Sequence, residues 1–301
     1  MEPLDVGDLT DAVSRAWQLA HESRYAEMNS TLADLLPRLE VAARAVGSAA
    51  ERSALHLLRA RAYQAAAAAL SRQDEPDAAW VAADRAITAA ELAGRPLDVI
   101  AGHFRLAHAL IRLRRFDEAD RVTANALDVL ERLAADESAS PEALSLYGAM
   151  HLVRAVLCGQ ESNRPEAHRH LDQAERIGRR VGADRNDFDT EFGPTNVQLH
   201  RVAVAVDLGD AGEALDVAAT IDASGLSPER RARLLVDVAR AHVQRRHVGE
   251  ATAALRDAER LTPEQVRSHH LSRTAIANLL SQSGRRPPAE LSDLARRCGV
   301  G

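Results

Sequence analysis

The feature that most constrains the fold of this 301-residue sequence is a short signal that recurs five times. In each copy an alanine stands near the start of a helical segment, and a second residue follows seven positions later on the same helix face. The five pairs are Ala79 with Ala86, Ala119 with Ala126, Ala167 with Ala174, Ala214 with Ile221, and Ala251 with Ala258. Small residues in this arrangement let helices cross closely, and a recurrence every 37 to 48 residues is typical of stacked helix pairs. The sequence therefore predicts an all-α fold in one continuous array.

The composition agrees with such an array. Aromatic residues make up only 3% of the chain, and its hydrophobic fraction of 46% is mostly alanine, leucine and valine. Small apolar side chains suit thin layers of closely packed helices, because one large core normally contains more rings. No stretch has the alternating pattern of a β-strand. Trp17 and Trp80 are more simply explained as packing residues than as platforms for a ligand.

Charge and cysteine content restrict the partners and the compartment. The formal net charge is -6 and every long basic side chain is arginine, which argues against a large nucleic-acid-binding face. Cys158 and Cys298 lie far apart and outside any metal-ligand spacing, which favours a reduced, cytoplasmic protein. The N-terminus lacks the apolar core of a signal peptide, and the longest alanine-rich run, residues 65–70, is too short to cross a bilayer. We expect a cytoplasmic protein without a membrane segment.

Proline, glycine and serine signals divide the chain into six helix pairs and a C-terminal cap. Pro37 is expected to kink or cut the second helix of the first pair. The pairs cover approximately residues 8–46, 49–93, 97–133, 142–181, 195–221 and 228–262, and residues 263–301 form the cap. Together they predict a single helical repeat domain, 1–301.

Two of these pairs carry a more specific pattern, in which a large apolar residue and a small one precede a turn and further small residues. In the third pair these are Leu106, Ala107, Leu110, Phe116, Ala119 and Ala126, and in the sixth Val238, Ala239, Val248, Ala251, Leu255, Ala258 and Pro263. With these residues the chain resembles tetratricopeptide repeats. The resemblance implies a right-handed α-solenoid whose first helices line a concave groove that binds peptides or partner proteins.

Transferring the groove positions of that family to this chain gives the candidate ligand-binding residues. They are Arg61, Gln64, Phe104, His108, Arg112, Asn196, Leu199, Arg233 and Arg240, with His200 added if the register of the fifth pair shifts by one. Several arginines on a concave wall favour a carboxylate or a peptide terminus as ligand. The alternative is that these arginines are ordinary solvated surface residues.

Residues 184–194, between the fourth and fifth pairs, are the least helical part of the chain. Their acidic side chains have the composition of a calcium loop, but Phe192 occupies the position that requires glycine. We therefore expect an ordered connector and no metal site. The turn at Gly193 and Pro194 leads into Thr195 and Asn196, so Asn196 reaches the groove or, alternatively, one of these two residues caps the next helix.

No catalytic motif and no cofactor-binding fingerprint is present. His168 and His170 fall on different faces of a helix, and the adjacent His269 and His270 do so as well, so neither pair suits a shared metal. The sequence predicts a protein that is not an enzyme and uses no cofactor.

A second resemblance extends over nearly the whole chain, through residues 79–91, 105–119, 144–155, 184–215 and 227–246. These segments are similar to the C-terminal sensor half of actinobacterial Xre-type transcriptional regulators, which implies a homodimerising module that binds a peptide or small-molecule effector. The helix-turn-helix of those regulators has no counterpart before Asp8, so the chain is either part of a longer regulator or a relative without the DNA-binding part. Direct DNA binding is not expected. The alternative function is a protein–protein interaction scaffold without a small-molecule effector.

Overall fold

The computed structural model describes residues 6–136 and 138–301, and within those ranges it contains fifteen α-helices and no β-strand. The helices are α1 (Val6–His21), α2 (Tyr25–Ala45), α3 (Ala49–Arg72), α4 (Pro76–Leu92), α5 (Pro96–Arg112), α6 (Phe116–Ala134), α7 (Pro141–Gln160), α8 (Arg164–Val181), α9 (Pro194–Asp207), α10 (Ala211–Ala218), α11 (Pro228–Gln244), α12 (Val248–Leu261), α13 (Pro263–Ser268), α14 (His270–Ser283) and α15 (Ala289–Arg297). A short 3-10 helix, Asp187–Asp189, lies between α8 and α9. The all-α class predicted from the sequence is confirmed.

The helix starts follow from the local sequence. Proline occupies the first or second position of α4, α5, α7, α8, α9, α11 and α13, where the N–H that it lacks would have no partner within the helix. Ser48, Ser140 and Ser227 precede α3, α7 and α11, and each hydroxyl accepts a hydrogen bond from the backbone N–H three residues later. These caps place the starts of three inner helices.

The turn inside each of the six helix pairs has the same backbone form. One residue adopts a left-handed conformation, with φ between 55° and 87°, and the second helix begins two residues after it. These residues are Ser23, Asp74, Arg114, Ser162, Gly209 and Arg246. Only one of them is glycine. The left-handed turn therefore recurs in the backbone of every pair, although no common residue type marks it in the sequence. The pairs from α1–α2 to α11–α12 therefore share one structural unit.

The first helices of successive pairs form an inner row. Along this row α3 contacts α5, α5 contacts α7, α7 contacts α9, and α9 contacts α11, while each helix also packs against its own partner. The second helices carry the recurring alanines of the sequence, and all nine of them are buried. The apolar partner of Ala214, Ile221, lies beyond the end of α10, so the fifth pair is shorter than the sequence predicts. Burial of small residues allows the close helix crossings that keep the inner row compact.

The two ends of the array meet. Helix α1 contacts α11, and the turn after α1 is joined to α13 by two hydrogen bonds. The Ser23 hydroxyl donates to Oε1 of Gln265 (2.8 Å), and the backbone N–H of Ala26 donates to Oε2 of Glu264 (2.9 Å). Because these contacts connect the first pair with the C-terminal cap, the inner row surrounds a central space.

Of the two outcomes expected at Pro37, a kink or a cut, the cut is wrong, because helix α2 runs continuously through this residue. The predicted C-terminal cap, residues 263–301, contains three helices, and the extended backbone of His269 separates α13 from α14. Trp17 is buried, but Trp80 is 39% exposed and its ring is covered by the guanidinium of Arg115, so packing accounts for only one of the two tryptophans. Across the described ranges, no helix has the length and hydropathy that a bilayer crossing requires.

Candidate ligand cavity

A cavity of about 150 Å³ lies at the centre of the inner row. Its walls come from α3, α5, α7, α9 and α11, and α13 and α14 close one side. Every helix pair from the second to the sixth contributes its first helix. Because five of the six helix pairs contribute to the wall, a molecule in this cavity would lie between several repeat units.

The cavity gathers seven of the ten residues that the sequence singled out. These are Phe104, His108, Arg112, Asn196, His200, Arg233 and Arg240. On α9 the lining residues are spaced three and four apart, from Asn196 to His200, Ala203 and Asp207, so they share one face of the helix. The structure thus places both Asn196 and His200 at the cavity. His200 was expected there only if the register of the fifth pair shifted by one, yet both residues line the wall.

The other three candidate residues lie outside this cavity. Leu199 belongs to an apolar cluster with Leu234 on α11 and lines a small neighbouring cavity, which shares Ala203 and Arg233 with the larger one. Arg61 is exposed, and Gln64 donates from Nε2 to the backbone oxygen of Asp98 (3.1 Å). The reason is the length of α3. It has 24 residues, so only its last two turns reach the cavity, whereas its middle contacts the start of α5.

Six arginines line the cavity, and four of them are paired with carboxylates. Arg72 contacts Glu229 (2.9 Å), Arg230 contacts Glu191 (2.9 Å), Arg240 contacts Asp207 (2.5 Å) and Asp237 (2.8 Å), and Arg112 contacts Asp74. Buried ion pairs of this kind are held by hydrogen bonds that offset the loss of hydration. These four arginines are therefore largely neutralised by the protein itself.

Arg105 is bound differently. Its guanidinium donates to the backbone oxygens of Phe188 (3.0 Å) and Asp189 (2.8 Å), and it lies 5.0 Å from the ring centres of Trp17 and Phe104. Burial lowers the pKa of Arg105 to about 9. The residue fastens the 3-10 helix to α1 and α5, which is a structural use for a buried cation.

Arg233 is the remaining cavity arginine. Among the described residues, no carboxylate lies within ion-pair distance of Arg233, and it makes no hydrogen bond. It is half-buried on the α11 wall, and burial lowers its pKa, partly opposed by the charge of Asp237. A half-buried cation in this position has lost part of its hydration without gaining an acidic partner, which carries a cost.

Four histidines complete the polar wall, namely His108, His200, His269 and His270. Burial lowers the pKa of all four, and nearby arginines, Arg233 among them, lower it further; the value for His200 is about 3. They are therefore neutral near pH 7. The Nδ1 of His200 donates to the backbone oxygen of Asn196 (2.8 Å), which leaves its Nε2 as an acceptor.

Several buried polar atoms around the cavity have no hydrogen-bond partner. They are Oδ1 of Asn196, Oε2 of Glu229, Oγ of Ser272 and the Nε atoms of Arg105 and Arg112. Buried polar groups are normally satisfied, so a group of unsatisfied atoms around one cavity indicates a place for a bound molecule or water. Sequence reasoning missed Glu229 and Ser272. Glu229 lies four residues before Arg233 on the same face of α11, which is the signal that identifies it.

The connector before α9 is ordered by its own side chains. Oδ1 of Asp184 accepts the backbone N–H of Thr195 (3.0 Å) and so satisfies the first turn of α9. The residue before the helix is Gly193, and a side chain there would collide with Asp184. Neither Thr195 nor Asn196 caps the helix, because Pro194 starts it one residue earlier. Asn196 is therefore free to face the cavity.

His21 joins α1 to this connector. Its Nε2 lies 3.2 Å from Oδ1 of Asp189, and its Nδ1 lies 3.6 Å from Oε2 of Glu191. Burial alone would lower the pKa of His21, but the two carboxylates raise it to about 9. The side chain is therefore an imidazolium in the folded protein near pH 7.

We expect this histidine to make stability depend on pH. Its pKa is higher in the folded state than the value of 6.5 in the unfolded chain. The stabilisation, roughly 3 kcal/mol at most, is therefore complete below pH 6.5 and is lost as pH rises towards 9. Urea unfolding of wild type and His21→Gln across this range measures it. The two proteins should differ most at low pH and converge above pH 9; a constant difference contradicts the prediction.

The sequence matches no protein-family model, and no curated protein shows significant similarity to it.

Proposed function

We propose that this chain is the effector-sensing module of a transcriptional regulator, built as a tetratricopeptide-like α-solenoid, and that it binds a small molecule in its central cavity. The observation that carries the proposal is the cavity itself. Unsatisfied polar atoms and an unpaired arginine surround a space to which five successive inner helices contribute. Ligand sites in proteins typically combine an apolar wall with a few such polar groups.

The geometry favours a small molecule over a long peptide. A cavity of about 150 Å³ lies below the usual range for drug-sized ligands, roughly 300 to 1,000 Å³. Contacts between α1 and α11, and between the first turn and α13, bring the ends of the array together around it. An open groove for a helix or an extended peptide would need these contacts to separate. The alternative of a protein-binding scaffold is therefore less well supported by the inner surface.

Binding in this place provides a mechanism for sensing. A ligand that touches α5, α9 and α11 together favours the arrangement of the array that brings these helices close. It changes the population of that arrangement only to the extent that it binds the alternatives less well. Regulation would then follow from the change in curvature and in the spacing of attached domains.

The proposal is tested by filling the cavity. Ala203 lies on the cavity wall and is buried, so Ala203→Leu places three additional carbon atoms in the space. We expect at least one of benzoate, benzamide and benzylamine to raise the melting temperature of the wild type, because a ligand that binds only the folded state stabilises it. Ala203→Leu should abolish that increase.

The matched control is Ala78→Leu, at an exposed position of α4. This variant should respond to the compounds as the wild type does. If no compound shifts the melting temperature, or if Ala203→Leu leaves the shift unchanged, the cavity is not a ligand site for molecules of this size. A stable protein partner recovered by the purified chain, with no small-molecule response, would favour the scaffold instead.

Homodimerisation is a separate proposal. Several large apolar side chains exposed on the outer helices support it, because apolar side chains left at the surface are candidates for an interface. They are Trp80, Val81 and Leu92 on α4, and Val129 and Leu133 on α6. Light scattering over a range of concentrations measures the state directly, and a monomer at high concentration would remove the proposal.

A further inference from the structure

We propose that the cavity selects a small monocarboxylic acid with a compact apolar body, and that the guanidinium of Arg233 binds its carboxylate. This inference rests on the proposed function, since it assigns the chemical class of the ligand for the same cavity. It goes beyond that function because sensing as such requires no particular charge.

The first argument is the charge balance around the cavity. Six arginines line it, and five carboxylates pair with them. The four histidines do not add charge, because burial keeps their pKa below neutrality. One positive charge therefore remains without an acidic counterpart. A single negative charge on the ligand would complete the set, whereas a dianion would add an excess.

The second argument is the position of the unpaired cation. Arg105 also lacks an acidic partner, but its guanidinium is bound to two backbone oxygens and lies against two aromatic rings. Arg233 has none of these contacts and lines the cavity on α11. A guanidinium offers a planar fork of N–H donors that matches a carboxylate in two parallel hydrogen bonds. Arg233 is thus the group that is available to an anion.

The third argument is a free hydroxyl in the same wall. Ser272 lines the cavity, and its hydroxyl has no hydrogen-bond partner although the residue is almost fully buried. A hydroxyl can donate to a carboxylate oxygen. An amine ligand would instead have to approach Arg233, and the repulsion between the two cations would oppose its binding.

The fourth argument is the apolar part of the wall. Phe104, Ile111, Leu152, Val156 and Val236 face the cavity together with several alanines. A cavity of about 150 Å³ has room for a ring the size of benzene. The ring of benzoate therefore suits the apolar part of the wall, and its carboxylate is assigned to Arg233. Inorganic phosphate would leave the apolar wall uncovered.

The experiment measures binding of benzoate, benzamide, benzylamine and inorganic phosphate to the full chain by calorimetry and thermal shift. We expect benzoate to bind and the other three to bind at least about tenfold more weakly, because only benzoate has one negative charge and an apolar ring. Arg233→Gln should weaken benzoate by at least about tenfold and should leave the melting temperature of the free protein unchanged or raised. Arg233→Lys, which retains charge but loses the fork, should bind with intermediate affinity.

The matched control is Arg231→Gln, on the same helix but exposed to solvent, which should bind benzoate as the wild type does. Equal loss in both arginine variants, or undiminished binding by Arg233→Gln, would overturn the assignment. Preferential binding of benzamide or benzylamine would overturn this inference while leaving the sensing function in place. Binding of phosphate alone would indicate an inorganic anion site, and the inference would again fail. Failure of all four probes to bind contradicts both proposals.

Discussion

Replacing Glu229 with glutamine is expected to lower the free energy of unfolding by about 3 to 5 kcal/mol. Glu229 is only 1% exposed. Its Oε1 accepts from Nε of Arg72 (2.9 Å) and from Nε2 of Gln265 (3.3 Å), while Oε2 lies 3.5 Å from Nε of Arg230. The neighbouring arginines hold the pKa of this carboxyl below its usual value in spite of burial. Removing the negative charge leaves Arg72 without an acidic partner and Arg230 with Glu191 alone, and urea denaturation measures the cost.

The control for this prediction is Glu166→Gln. Glu166 also pairs with an arginine, Arg169, but both side chains are exposed on α8. Exposed ion pairs contribute little to stability, so this variant should unfold nearly as the wild type does. Similar effects in the two glutamine variants would show that the link between α3 and α11 does not hold the array together. A large effect at Glu229 alone supports a closed array. In such an array Glu229 both lines the cavity and joins α11 to Arg72 on α3 and Gln265 on α13.

Replacing Phe192 with alanine is expected to destabilise the protein by about 3 to 5 kcal/mol. Phe192 belongs to the connector before α9, yet its ring is completely buried in the apolar core that α5, α6, α7, α8 and α9 form. The ring occupies the space above Gly148 on α7, where a side-chain carbon would come within 1.9 Å of it. Loss of the ring removes apolar contacts and leaves a cavity that the surrounding helices cannot easily fill. Thermal and urea unfolding both report this loss.

A pair of glycine variants on α7 provides the matched comparison. Gly148→Ala adds a carbon into the Phe192 ring and should be destabilising, by roughly 1 to 3 kcal/mol, because the core there is already full. Gly159→Ala adds the same carbon at an ordinary contact distance of 3.5 Å from Val204, so its higher helix propensity should leave stability unchanged or raised. Opposite signs at these two positions would establish the docking of the connector on α7. Equal effects would contradict it.

The connector illustrates what residue patterns alone can and cannot show. Its proline, glycine and acidic residues predicted an ordered non-helical segment, because those preferences are local. Residue patterns did not indicate that Phe192 fills the space above Gly148, or that Asp189 and Glu191 face His21. Those contacts join residues more than 40 positions apart, and no local spacing encodes them.

The inner surface shows the same division. The resemblance to tetratricopeptide repeats directed attention to Arg233, Arg240 and His108, because that family's groove positions recur along the first helix of each pair. It also selected Arg61 and Gln64. The sequence indicates which face of α3 points inwards, but it does not indicate how much of that face reaches the cavity. His269 was set aside as one of an adjacent histidine pair, although the break between α13 and α14 brings both members of the pair to the cavity.

The sequence by itself determined the helices, their pairing and the small residues that let them cross, because these depend on composition and on periods of three to four residues. Only the tertiary structure decided that the first pair meets the C-terminal cap, that Glu229 joins Arg72 and Arg230, and that Arg233 is left without a partner. Each of these depends on how elements far apart in the chain pack against one another. No pattern of three to four residues within one helix specifies such contacts.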